Sequence, residues 1–265
     1  MPPAKKRTRR YDPAKVRAAV LAQFGHVREA VRTLTPEQLA RPTRLGDWTV
    51  RELAVHLTMA LGMLETRLAG PEPLKQELAL LDWPSATSAK KAEVADRTRE
   101  SAASVDDLDA LFEERATRTA ELFVTTADDR LLPTRFGAMT FADVLVTRTV
   151  ELTVHTDDLN DALPGLAVPH DRQALAACTR LLADALAAKA PGGSVEVRIP
   201  PYAVVQCVAG PKHTRGTPPN VVETDPLTWV RLATGRTGWA EALDAAEVAA
   251  SGERADLAAV LPVMS

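Results

Sequence analysis

Four stretches in the first 163 residues carry apolar side chains at every third or fourth position, the period of a helix that buries one face. From Pro13 the set is Val16, Val20, Phe24, Val27, Val31 and Leu34, closed by the turn-like Thr35-Pro36. A second set opens near Asp47-Trp48-Thr49, where Asp47 or Thr49 can cap it. It runs through Leu53, Leu57, Leu61, Leu64 and Leu68 and stops at Gly70-Pro71-Glu72-Pro73. A third holds Val105, Leu108, Phe112, Thr119 and Phe123. After Pro133 and Gly137 a fourth runs roughly from Thr140 to Leu163, with Phe141, Val144, Leu145, Leu152 and Leu159 inside. The polar, charge-mixed stretch 74–100 reads as a bridge with room for short helical pieces. Four long helices with polar outer faces predict a bundle.

The pattern changes after Pro164-Gly165 and Pro169, which mark a domain boundary. One more helix is expected over Arg172 to Lys189. Strand-like runs follow at Val195–Ile199 and Ala203–Val208, then at Val221–Thr224. A helix opened by Asp225-Pro226, another around Trp239 to Ala245, and short strands near Val248 and Leu257 complete a small α+β domain. The expected division is a flexible basic tail over 1–12, a bundle over 13–165 and an α+β domain over 168–265.

Composition narrows the function classes. Hydrophobic residues make up 46% and charged residues 25% of 265, which is ordinary for a globular chain able to bury a large core. The net charge of −3 gives no general reason to expect nucleic acid or a membrane as partner. No apolar run reaches the roughly 18 residues that span a bilayer. Cys178 and Cys207 stand far apart without a Cys-x-x-Cys motif, as expected of two reduced thiols in a cytoplasmic protein.

The chemistry points to His56, Glu151 and His155. Glu151-Leu-Thr-Val-His155 sets a carboxylate and an imidazole about 40° apart on one helix, one turn above the other. Two histidines and one carboxylate are a common ligand set for a catalytic divalent metal. The fourth helix admits another reading. Arg148, Glu151, His155 and Asp158 share a sector of about 80°, as a surface ion-pair ladder would. The adjacent Leu145, Leu152 and Leu159 place these charges beside the core, where a carboxylate needs a partner. His56, between Val55 and Leu57, also fits a hydrogen-bonded core histidine. His26, His170 and His213 fit no ligand spacing and read as surface residues.

Two longer motifs carry a resemblance. Asp47-Trp-Thr-Val-Arg-Glu-Leu-Ala-Val-His56-Leu and Arg148-Thr-Val-Glu151-Leu-Thr-Val-His155-Thr-Asp-Asp158-Leu resemble the mycothiol-dependent maleylpyruvate isomerase family, part of the DinB-like four-helix metalloproteins. The resemblance covers roughly Val16 to Leu163. The segment from Asp225 through Trp229, Gly235 and Trp239 to Ser251-Gly252-Glu-Arg254-Ala-Asp-Leu257 is similar to the bacterial sterol-carrier-like domain. The fold class implied is multidomain α and α+β: a DinB-like four-helix bundle followed by a small sterol-carrier-like domain, whose five-stranded sheet would enclose an apolar pocket.

The resemblance implies that His56, Glu151 and His155 hold a divalent ion, with Zn2+ the default and nickel, iron or manganese as alternatives. Mycothiol would be the thiol cosubstrate, used to isomerise, or be transferred to, a small electrophilic metabolite. Arg148 would hold a substrate carboxylate or pair with Asp158. Arg231, Arg236 and Arg254 would contact the thiol cofactor if their domain closes over the metal. Glu52 or Asp158 could orient a ligating histidine, and Trp48 would fix the helix entry by packing. The partners expected are small molecules, with no nucleic acid and no membrane, on a monomer or homodimer. A lipid or apolar-ligand carrier, with the bundle as a structural metal-binding partner, is the alternative; a metal-stabilised bundle without catalysis is a third.

Overall fold

The computed structural model describes residues 9–87, 91–211 and 219–264. Helix α1 (Pro13–Val31) begins with Asp12 accepting hydrogen bonds from the amides of Ala14 and Lys15, and with Pro13 in its first turn. It buries Val16, Val20, Phe24, Val27 and Val31, the residues of the apolar period. A short α2 (Pro36–Leu39) precedes α3 (Val50–Leu68), which a reciprocal capping box between Thr49 and Glu52 starts. A 3-10 turn at Leu80–Asp82 leads into α4 (Trp83–Ala86), α5 (Lys91–Ala103) and α6 (Leu108–Thr125). Strands β1 (Leu131–Thr134) and β2 (Gly137–Thr140) form an antiparallel hairpin, and Thr140 caps α7 (Phe141–Ala162).

The four long helices α1, α3, α6 and α7 form the bundle: α7 packs on α1 and α3, and α6 closes on the same two helices. Inside it, the Phe24 and Phe112 rings lie 4.9 Å apart, and Leu53, Leu57, Leu61 and Leu145 are fully buried. Helix α5 leans on α3. Only short helical pieces are expected there from the sequence, because α5 is mostly polar; its buried residues include Thr98 and Ala102. The hairpin likewise has no signal in the sequence, since four-residue strands around Pro133 and Gly137 form no β-type run.

Helix α8 (Arg172–Lys189) joins the two halves. It packs on α1 and α7 in one direction and on the sheet and α9 in the other. The sheet orders β4 (Ala203–Cys207), β3 (Val195–Ile199), β5 (Val221–Thr224) and β6 (Val248–Ser251), antiparallel except for the central β3–β5 pair. Alternation places Val195, Val197 and Ile199 in the core while Glu196 and Arg198 are less buried. Asp225 caps α9 (Pro226–Ala233), whose buried Trp229 donates its indole N–H to the Thr179 carbonyl of α8 at 3.3 Å. Helix α10 (Trp239–Asp244) precedes β6.

Two expectations change. The strand predicted near Leu257 is a turn that buries Leu257, so the sheet has four strands among the described residues rather than five. Gly252 in the Ser-Gly motif turns at φ +99°, where a Cβ would strike the Pro219 carbonyl and Asn220. The basic tail does not extend to residue 12: Arg9 pairs with Asp184 at 2.9 Å and Tyr11 packs against the core, while residues 1–8 lie outside the described residues. Among the described residues no helix is long and apolar enough to cross a membrane.

Candidate metal centre

The packing of α3 against α7 brings His56 opposite Glu151 and His155. The His56 and His155 Nε2 atoms lie 3.7 and 3.5 Å from the same Glu151 oxygen. One donor atom from each of the three residues lies within 4.8 Å of the others. The two imidazole rings meet nearly edge to face, with centroids 4.9 Å apart at 87°. Each side chain keeps between 13 and 18% of its surface exposed, so the cluster is sheltered but reachable.

The chemistry of the donors fits a cation. Burial by itself would raise the Glu151 carboxyl, yet the close approach of both histidines and the charge of Arg148 hold it well below the usual carboxylate range. Burial pushes the His56 imidazole down, toward the neutral form that can ligate. Burial acts the same way on His155, but Asp158 and Glu151 outweigh it and raise its affinity for a proton. A divalent ion would compete with a proton for that nitrogen. The ion-pair ladder is present along α7, with Arg148 Nη2 3.9 Å from Glu151 and His155 bonded to Asp158. His56, from another helix, converges on Glu151 as well, which a one-helix ladder does not supply.

Each histidine has an outer partner on Nδ1. For His155 it is the Asp158 carboxylate at 2.8 Å; for His56 it is the Thr98 hydroxyl of α5 at 3.4 Å. The indole of Trp48 also packs against His56, with centroids 5.0 Å apart. Glu52, expected near His56, instead spends its carboxylate on the backbone amide and hydroxyl of Thr49 in the α3 capping box. Arg148 does not reach Asp158. Its guanidinium donates to the Thr147 hydroxyl at 3.0 and 3.2 Å and to the Ala60 carbonyl at 3.4 Å.

Behind His155 lies a charge network foreseen only in part. Asp157 and Asp158 are 2% and 0% exposed. Arg44, from the loop before α3, donates Nη2 to Asp157 and Nε to Asp158, both at 2.6 Å. Arg231 of α9 grips Asp157 through Nη2 at 2.7 Å and Nε at 3.0 Å; Arg236 grips Asp158 through Nη2 at 3.0 Å and Nε at 3.2 Å. Burial works against both carboxylates; Arg231 and Arg44 nonetheless hold Asp157 below the ordinary range, and His155, with Arg236 behind it, does the same for Asp158. The arginines expected around a thiol thus divide. Arg231 and Arg236 stand beside α7 with carboxylate partners, whereas Arg254 lies near Gly210 and Asn220, at the opposite end of β5 from α9.

No motif in the sequence marks Arg44 or Thr98, but two adjacent acids beside an apolar helix face are a visible sign that cations must be near. His170, read as a surface residue, is half-buried, and both its ring nitrogens lack a hydrogen-bond partner among the described residues. His26 is half-buried beside the Pro169 carbonyl at 3.2 Å, and His213 lies outside the described residues.

Comparisons with known proteins agree with this architecture. The family model described as the mycothiol maleylpyruvate isomerase N-terminal domain matches residues 20–160, and the bacterial SCP ortholog model matches residues 171–263. Comparison with curated protein sequences returns no match. The fold is similar to a crystal structure of the mycothiol-dependent maleylpyruvate isomerase, with TM-score 0.55 at 17% identity over 86% of this chain and 90% of that one. A histidine-to-alanine mutant of such an isomerase aligns with TM-score 0.56 at 16% identity over 91% and 93% of the two chains. Since the first of these models spans more than half of the chain, this protein belongs to the mycothiol maleylpyruvate isomerase family.

Proposed function

We propose that the protein is a divalent-metal-dependent enzyme that uses a low-molecular-weight thiol, mycothiol, to isomerise a small electrophilic metabolite or to transfer the thiol to one. The observation that carries this reading is the convergence of His56 and His155 on one Glu151 oxygen. Two neutral nitrogens and one carboxylate suit Zn2+, and three protein ligands are the number typical of a catalytic zinc site. When bound, such an ion lowers the pKa of a coordinated thiol, supplying thiolate at neutral pH for addition to an electrophilic double bond or displacement of a leaving group.

The chain's own residues prepare that chemistry. Glu151 contributes the negative charge, and the outer partners of the histidines turn both Nε2 atoms toward it. Arg148, 12% exposed, holds a substrate carboxylate: its bonds to Thr147 and Ala60 leave donors free on both terminal nitrogens. Trp48 walls the His56 side.

The test is thiol-dependent turnover of a panel of unsaturated acids by metal-loaded and chelator-treated protein. We expect conversion only when thiol and metal are both present. Metal-loaded protein that shows no thiol dependence with any electrophile would refute the proposal.

A further inference from the structure

We infer that the C-terminal domain positions a residue of the bundle's site: Arg236, acting through Asp158, sets the ring of His155. The inference rests on the metal reading for its purpose, but its geometry stands by itself. Asp158 is fully buried and uses Oδ2 twice, accepting from His155 Nδ1 at 2.8 Å and from Arg236 Nη2 at 3.0 Å. Arg236 Nε reaches the other oxygen at 3.2 Å, so the guanidinium engages the carboxylate as a fork and fixes its plane. Arg236 is itself held, its Nη1 on the Thr234 carbonyl at 3.0 Å and its backbone amide on the Arg231 carbonyl at 2.8 Å. A carboxylate so fixed keeps the His155 proton on Nδ1 and presents the Nε2 lone pair to the Glu151 side, which is how outer partners orient ligating histidines.

The neighbouring pair supplies an internal control. Arg231 grips Asp157 with the same kind of fork, across the same domain interface, and among the described residues Asp157 makes no hydrogen bond to His155. Loss of Arg231 therefore loosens domain docking without touching the His155 partner, whereas loss of Arg236 does both. Arg44 bonds to both acids and cannot separate the two effects.

The experiment compares wild type, Arg231→Ala and Arg236→Ala in the full chain. Histidine 15N NMR of metal-free protein, at a pH where imidazole is neutral, reads the His155 tautomer; chelator competition reads Zn2+ affinity. We expect wild type and R231A to show one tautomer, protonated on Nδ1, and Zn2+ affinities within about twofold of each other. R236A should average the tautomers and bind Zn2+ about tenfold more weakly. Should R236A fail to fold, Arg236→Gln, which keeps a donor but loses the fork, carries the same expectation. Equal losses in R231A and R236A would reduce the effect to docking and overturn the inference, as would an unchanged tautomer in R236A. A wild type with the fixed tautomer but no Zn2+ binding would support the positioning while removing the enzyme proposal.

Discussion

The two histidines of the site are held by unlike means. His56 is kept within its own domain, wedged against Trp48 with only a long hydrogen bond from a neutral hydroxyl on α5. His155 is tied to an ionised carboxylate that three arginines, directly or through its neighbour Asp157, lock to two domains. One histidine is therefore positioned by packing and the other by charge. Packing is set by the bundle alone, whereas the charge network exists only where the two domains meet.

That difference can be probed in order of expected effect. Replacing Glu151 or His56 by Ala removes a donor, and chelator competition should show Zn2+ affinity falling by more than the roughly 10–100-fold typical of an outer partner. Metal retained at wild-type strength in either variant would mean that the cluster is an ion-pair ladder. Trp48→Ala deletes a ring only 7% exposed; denaturant unfolding should reveal a stability loss of about 3 kcal/mol or more, with the His56 side weakened first. Asp158→Asn keeps the shape but not the charge beside His155, and Zn2+ affinity should drop about tenfold while the apolar core stays intact. Thr98→Val should cost least, about 1 kcal/mol in metal binding, since the lost contact is a 3.4 Å bond between neutral groups. If T98V weakened binding more than D158N, the contrast between a packed and a charge-held histidine would be reversed.

The parts of the fold that the sequence made legible are those with a period or a cap. The apolar positions of α1 and α3, and the caps at Thr49, Thr140 and Asp225, announce helices wherever they occur. Helix α5 was not legible, because its buried contribution includes a threonine and an alanine rather than an apolar stripe. The same distinction holds at the site. Glu151 and His155 sit on one helix, so their spacing is written locally, and the Trp48 motif drew His56 to them. Thr98 and Arg44 reach their partners across 42 and 114 residues from segments without pattern, and only the folded chain shows where they land.

The most direct test of a thiol-using metal centre is to load the protein with Co2+ and add a low-molecular-weight thiol while recording the visible and near-ultraviolet spectrum. Tetrahedral-type cobalt bands that appear in wild type and vanish in Glu151→Ala, joined by a thiolate-to-cobalt charge-transfer band on addition of thiol, are the expected result. Cobalt that binds equally to E151A, or that gives no charge-transfer band at any thiol concentration, would contradict the assignment.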